Sequence, residues 1–109
     1  MEQDSEFLYK IISPEQWEES LLRSQVVPSS QDSDFIHLAT ANQLIHVTQK
    51  FWKHKDYIVL KLLPKKLAGR LLYEQNPGGT NKYYHLYDGS IPLEAVVDMT
   101  VHPFLESKS

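Results

Sequence analysis

A chain of 109 residues with 41% hydrophobic and 23% charged residues has the size and composition of one folded domain, which argues against disorder. The formal net charge of −3 is unfavourable for general nucleic-acid binding, because phosphate neutralisation needs clustered lysine and arginine. The absence of cysteine excludes disulfides and thiolate metal sites. We expect one domain over residues 7–103, with a disordered acidic tail at 1–6 and a polar tail at 104–109.

The sequence gives no reason to expect a membrane partner. Its longest apolar run is far shorter than a bilayer-spanning helix requires, and residues 1–6 lack the basic and apolar regions of a signal peptide. A cytoplasmic location is therefore expected.

The chain is predicted to begin with a strand and a helix. Residues 7–12 are rich in aromatic and β-branched side chains, as strands are, and carry a single charge at Lys10. Residues 13–16 read Ser-Pro-Glu-Gln, which combines a capping box with proline at the first helical position. This helix should end near residue 23, with Trp17 and Leu21 on its inner face.

A histidine lies inside the next apolar segment. Residues 35–39 are typical of a short strand and contain His37, which must be hydrogen-bonded if buried or else face a cavity. Thr40 and Gln43 have the spacing of a second capping box. His37 should therefore lie just before a helix N-terminus, where backbone donors favour anionic ligands.

The remaining elements indicate an α+β fold. The second helix should reach Trp52 and bury a stripe that includes Val47 and Phe51. Residues 56–63 carry large apolar side chains at both odd and even positions, which predicts a central strand covered on both faces. Further strands are predicted on either side of a glycine-containing loop at 76–81. Strands outnumber helices, so we expect two main helices packed on a mixed or mostly antiparallel sheet.

A second histidine is also followed by leucine, as His37 is. This is His85, which lies in the segment Tyr83-Tyr84-His85-Leu86-Tyr87. The two histidines are expected to approach each other across one cleft and to act as general base and general acid, since imidazoles titrate near neutral pH. The alternative is that each is a structural histidine bonded to the backbone. Metal binding is less favoured, because the neighbouring carboxylates lack ligand spacing.

Other polar and aromatic residues also have two interpretations. The tyrosines near His85 are either half-buried sheet residues or a stacking platform for a nucleobase or nicotinamide. Glu74 is a solvated acid or a catalytic one, and Lys10 is an anion ligand or a charge on an edge strand.

The chain resembles an uncharacterised bacterial and plant family named domain of unknown function nine-five-two. The resemblance is carried by segments in order across nearly the whole chain: Tyr9-Lys10-Ile11, Trp17, Asp34-Phe35-Ile36-His37-Leu38-Ala39-Thr40 with Gln43, Tyr73-Glu74, His85-Leu86-Tyr87, and Pro92-Leu93-Glu94-Ala95-Val96. The family usually has Ser at the position of Ala39 and Trp at that of Tyr73. Its fold is grouped by similarity with the ADP-ribosyltransferases and the RNA 2′-phosphotransferases, which use NAD.

The resemblance implies that Lys10 and the His37 segment line a cleft for NAD, with Thr40, Gln43 and Tyr87 as further binding residues and Glu74 as the acidic catalytic residue. Three functions remain open. The first is a nucleotide-binding domain that transfers or hydrolyses at the ribose C1′. The second is a metal-free phosphoesterase that uses His37 and His85 as acid and base, and the third is a non-catalytic ligand-binding domain.

Overall fold

The strands form two antiparallel three-stranded sheets in a computed structural model that describes residues 7–28, 32, 34–76 and 78–104. The elements in chain order are β1 (Leu8–Ile12), α1 (Pro14–Arg23), β2 (Ile36–Leu38), α2 (Leu44–Phe51), β3 (Tyr57–Leu62), β4 (Ala68–Gln75), β5 (Lys82–Ser90) and β6 (Val96–His102). One sheet has the order β1-β3-β6 and the other β2-β5-β4. The α+β prediction with mostly antiparallel strands is thus confirmed.

A single backbone bridge joins the two sheets within the described residues. Tyr9 and Ala39 exchange two hydrogen bonds, Tyr9 N to Ala39 O at 2.8 Å and Ala39 N to Tyr9 O at 2.9 Å. β3 is the central strand of the first sheet, as its apolar sequence predicted. The two sheets therefore share a continuous surface that passes through this bridge.

The hydrophobic core lies between one face of each sheet and α1. Its buried side chains come from five strands or their flanks and include Leu8, Ile12, Val26, Ile36, Leu38, Ile58, Leu60, Leu62, Leu86, Ile91 and Ala95. Alternation within β1 and β2, where every second residue is buried, places the intervening residues on the opposite surface. His37 is one of those intervening residues.

Helix α1 begins as predicted but buries a different residue. Ser13 and Gln16 form the full capping box, and the helix ends at Arg23. Trp17 packs against the core, whereas Leu21 is 52% exposed, so its predicted burial is wrong. Ser20 is the fully buried residue of this helix, because its hydroxyl satisfies two backbone groups.

Helix α2 lies over the sheet surface without entering the core. It starts at Leu44 after a short 3₁₀ turn over Ala41–Gln43, and it contains no buried residue. The predicted buried stripe is wrong, since Phe51 is 50% exposed. No helix in the described part of the chain is long and apolar enough to cross a membrane.

The predicted terminal tails fall mostly outside the described residues, which end at Phe104. Phe104 itself contacts the domain, because its backbone N–H donates to Asp56 Oδ1 at 2.7 Å.

We predict that Ser20→Ala destabilises the protein by about 1–3 kcal/mol, the usual range for leaving a buried donor without a partner. The Ser20 hydroxyl accepts the Val27 N–H at 2.8 Å and donates to Gln16 O at 2.7 Å. Thr48→Ala is the matched control, since that exposed hydroxyl only donates to Ile45 O. Urea unfolding measures both, and equal losses would contradict the prediction.

Candidate functional site

A buried ion pair lies where β1 meets β2. Lys10 Nζ is 2.9 Å from Asp32 Oδ2 and donates to the carbonyl oxygen of His37 at 3.1 Å. The side chains of Lys10 and Asp32 are 7% and 1% exposed. Burial lowers the pKa of Lys10 below its ordinary value, and the Asp32 carboxylate opposes this shift.

Asp32 also orients His37. Its Oδ1 atom accepts the His37 backbone N–H at 3.1 Å and lies 2.8 Å from His37 Nδ1. Because a carboxylate only accepts hydrogen bonds, Nδ1 carries a proton, and Nε2 holds the lone pair when the ring is neutral. The His37 side chain is 38% exposed, and Nε2 bonds to none of the described residues. This is the arrangement of a carboxylate-oriented general base.

His37 and His85 are cross-strand partners on β2 and β5, with ring centroids 5.5 Å apart. They thus lie together on one sheet surface, whereas the sequence suggested two rims of a cleft. His85 is fully buried, and Phe35 stacks on it at 4.0 Å. Both of its ring nitrogens have partners at 2.7 Å, namely Glu74 Oε2 and Asn76 Oδ1. His85 therefore has no nitrogen left for a ligand.

Glu74 is the centre of a second hydrogen-bonded group. The hydroxyl of Tyr87 donates to Glu74 Oε2, the same oxygen that contacts His85 Nδ1. The Tyr87 hydrogen bond, followed by the His85 hydrogen bond, lowers the pKa of Glu74 below its ordinary value. The same bond raises the pKa of Tyr87, since it favours the protonated phenol.

An aromatic-walled cleft of about 450 Å³ opens beside His37, between the sheet surface and α2. Its volume lies in the range of small-molecule sites. The lining includes four aromatic side chains and a few polar groups: Tyr9, Phe51, Trp52, Tyr83, Lys10, Asp32, His37 and Asn76. We call this the His37 cleft.

The structure separates the residues that the sequence grouped as one site. Lys10 and His37 line the His37 cleft, whereas His85, Glu74 and Tyr87 lie behind it and reach it through Asn76. Thr40 and Gln43 do not line it.

Gln43 has a structural role that the capping pattern predicted. Its Oε1 accepts the Thr40 N–H at 3.0 Å, and its Nε2 donates to Lys82 O at 2.8 Å. The side chain thus fixes the start of α2 to β5. Since the Thr40 N–H and both ends of the Gln43 amide are occupied, the geometry gives no support to anion binding by these groups.

Sequence reasoning missed Asp32, Phe35 and Asn76 as site residues. Asp32 lies five residues before His37 in a polar loop, and its contact with Lys10 crosses 22 residues. Asn76 is the first residue of the glycine-containing loop, and its contact with His85 spans nine residues. The sequence signal that could have pointed to Asp32 was a lysine within an apolar strand, since a lysine that becomes buried needs an acidic partner.

The protein is a small α+β domain with two antiparallel sheets and a helix across their shared surface. Its candidate ligand site is the His37 cleft. The chain belongs to the family described as "Protein of unknown function (DUF952)", whose model matches residues 11–99. No curated protein matches the chain. Within the described residues, no group of three or more His, Asp or Glu side chains is placed to hold a metal ion.

Solved structures from Caulobacter crescentus have a similar fold. The crystal structure of protein CC0527 is 23% identical, with a TM-score of 0.76 over 87% of this chain and 84% of that chain. Its solution NMR structure is also 23% identical, with a TM-score of 0.70 over 86% and 82% of the two chains.

We predict that Lys10→Met destabilises the protein by about 3–5 kcal/mol, because Asp32 then keeps a buried charge without its lysine. Lys10→Met combined with Asp32→Asn should cost less than the sum of the single changes, since the two groups form one buried pair. Urea unfolding of the three variants measures the coupling. Arg23→Met, which breaks the exposed pair with Glu19, is the control and should cost about 0–1 kcal/mol. Additive losses would contradict the coupling.

We predict that Tyr87→Phe raises the pKa of Glu74 toward its ordinary value of 4.5. A carboxyl group whose pKa is lowered by folding stabilises the folded state above its unfolded-state pKa. This stabilisation is lost as the pH falls through the lower folded-state pKa. The destabilisation of Tyr87→Phe at pH 7 should therefore shrink as the pH falls below about 4.5.

Unfolding free energies measured across this pH range, with NMR titration of Glu74, would check the Tyr87→Phe prediction. Tyr73→Phe is the control, because Tyr73 is 52% exposed and its hydroxyl bonds to none of the described residues. A destabilisation that stays constant with pH would contradict it.

Proposed function

We propose that this domain binds a nucleotide in the His37 cleft and catalyses transfer or hydrolysis at its ribose, with NAD as the nucleotide. The observation that carries the proposal is the imidazole of His37, held by Asp32 and opening into an aromatic-walled cleft of about 450 Å³. The similarity to the ADP-ribosyltransferases that the sequence resemblance implies favours NAD among nucleotides.

The cleft residues fit the planar parts of NAD. Tyr9, Trp52 and Tyr83 offer aromatic faces on which a nicotinamide or adenine ring stacks. Asn76 and His37 offer polar groups at the same wall. When bound, NAD supplies a ribose carbon from which nicotinamide leaves with the bonding electron pair.

His37 is proposed as the general base. Its Nε2 atom takes the proton of the attacking water or hydroxyl while that oxygen forms its bond to the ribose carbon. Asp32 accepts from Nδ1–H throughout, so it fixes the tautomer and stabilises the imidazolium that forms. The proton thus ends on Nε2, beside the cleft.

Glu74 is proposed as a positioning residue instead of the acidic residue that contacts the ribose. Its carboxylate holds His85, and His85 holds Asn76, whose amide lines the cleft. Glu74 itself does not line the cleft, and its Oε2 atom is hydrogen-bonded to both His85 and Tyr87.

The two-histidine phosphoesterase receives less support from the geometry. Its mechanism needs two imidazoles that both reach the substrate, whereas His85 is fully buried with both nitrogens bonded to side chains.

We predict that the protein binds NAD and releases nicotinamide, and that His37→Gln lowers kcat by about 10²–10⁴-fold with little change in Kd, as expected for loss of a general base. Calorimetry gives Kd, and chromatography of released nicotinamide gives kcat. His46→Gln is the matched control, because His46 lies exposed on α2.

Three outcomes separate the hypotheses. Full turnover by His37→Gln would contradict the role of His37. Binding of NAD without nicotinamide release would leave a non-catalytic binding domain. Hydrolysis of a cyclic nucleotide in place of NAD would favour the phosphoesterase.

A further inference from the structure

A second pocket, of about 410 Å³, lies at the C-terminal end of α2 and is lined in part by two lysines. Its lining combines lysine, histidine and aromatic residues, among them Lys53, His54, Lys55, Tyr57, His102 and Phe104. We call it the basic pocket. Its sign is opposite to the net charge of −3 of the whole chain.

The lysines of the basic pocket have no acidic partner among the described residues. Neither Lys53 nor Lys55 has a carboxylate oxygen within 4.0 Å of its ammonium group. Lys55 Nζ lies 5.6 Å from the centre of the Trp52 ring instead. The nearby Asp56 uses its Oδ1 to accept the Phe104 N–H. Unpaired lysines beside aromatic rings suit a ligand that carries phosphate groups.

Ring contacts hold the two histidines of the pocket in place. His102 stacks on Tyr57 with ring centroids 4.7 Å apart and an interplanar angle of 10°, and its Nε2 lies 2.9 Å from Thr100 Oγ1. His54 adopts a left-handed backbone conformation, with φ of 67°, and packs edge-on against Phe104 at 5.4 Å. The pocket is thus lined by side chains from the end of α2, from β3 and from the end of β6.

The basic pocket adjoins the His37 cleft, because Trp52 lines both. Ile11 pairs with Val59, and cross-strand partners point to the same face of a sheet. Tyr57 lies two residues before Val59 on the same strand, so it also points to that face. Ile11 of the cleft and Tyr57 of the basic pocket therefore share one sheet surface. β1 and β6 are separated by two strand spacings, or roughly 10 Å. One extended ligand could therefore occupy both cavities.

We propose that the basic pocket binds the phosphate groups of the ligand whose ring lies in the His37 cleft. This inference rests on the proposed function. It makes the substrate a nucleoside polyphosphate or a dinucleotide, since a nucleoside alone would leave the basic pocket empty. The cleft itself offers a phosphate no free lysine, because Lys10, the one lysine in its lining, is paired with Asp32.

The test compares nicotinamide riboside, nicotinamide mononucleotide and NAD, which carry no phosphate, one phosphate and two phosphates. The wild-type affinity should rise along this series. The variant Lys53→Gln with Lys55→Gln should lose about tenfold or more of its NAD affinity while its affinity for the riboside stays unchanged. Raising the salt concentration should weaken NAD binding more in the wild type than in this variant.

Lys65→Gln with Lys66→Gln is the matched control, since these two lysines are also close in sequence and exposed but lie on the 3₁₀ turn before β4. ADP is compared with NAD to separate a nucleoside polyphosphate from a dinucleotide. Equal loss of NAD affinity in the two lysine variants, or equal wild-type affinity for the riboside and NAD, would overturn the inference.

Pyrophosphate distinguishes failure of this inference from failure of the proposed function. If pyrophosphate shifts the amide NMR signals of Lys53 and Lys55 while no nucleoside shifts those of the cleft, the basic pocket stands as a phosphate site and the proposed function fails. If nicotinamide riboside binds in the cleft but phosphates add no affinity, the proposed function stands and this inference is overturned.

Discussion

The buried pair of Lys10 and Asp32 is the interaction on which the site depends. Removing two charges from water costs several kcal/mol per ion, and the attraction between them offsets that cost only when further hydrogen bonds are made. Here Asp32 also accepts two bonds from His37, and Lys10 donates to the His37 carbonyl. The pair therefore ties β1 to β2 beside the Tyr9–Ala39 bridge, where the two sheets meet. The same carboxylate that joins the sheets sets the tautomer of His37, so sheet assembly and site geometry have a common cause.

Local sequence patterns predicted the elements that depend on local physics. The capping box at Ser13, the proline at the first helical position and the apolar run of β3 each act within a few residues, and the structure has the corresponding helix and central strand. The inner face of α1 was predicted less well. Helical spacing favoured Leu21, but Ser20 is buried because its hydroxyl serves the chain returning at Val27, which no periodicity reveals.

The site was predicted in part, and the missing residues share one physical feature. The repeated His-Leu context pointed to both histidines, which are indeed cross-strand neighbours. Asp32 and Asn76 were missed because each acts through a side-chain contact that the chain path creates, to Lys10 and to His85. Conversely, Thr40 and Gln43 were expected to bind the ligand, although the capping pattern that they form already uses the Thr40 N–H and both ends of the Gln43 amide.

The contrast between the two histidines follows from the strand on which each lies. β2 is an edge strand of three residues, so His37 retains an exposed nitrogen beside the cleft. β5 is the central strand of its sheet, and His85 is covered by Phe35 and bonded at both nitrogens. A buried imidazole with two partners cannot exchange a proton with a ligand without breaking one of those bonds. Of its two hydrogen bonds, the one to Asn76 reaches the lining of the cleft, so in the proposed function His85 and Glu74 support the site and His37 transfers the proton.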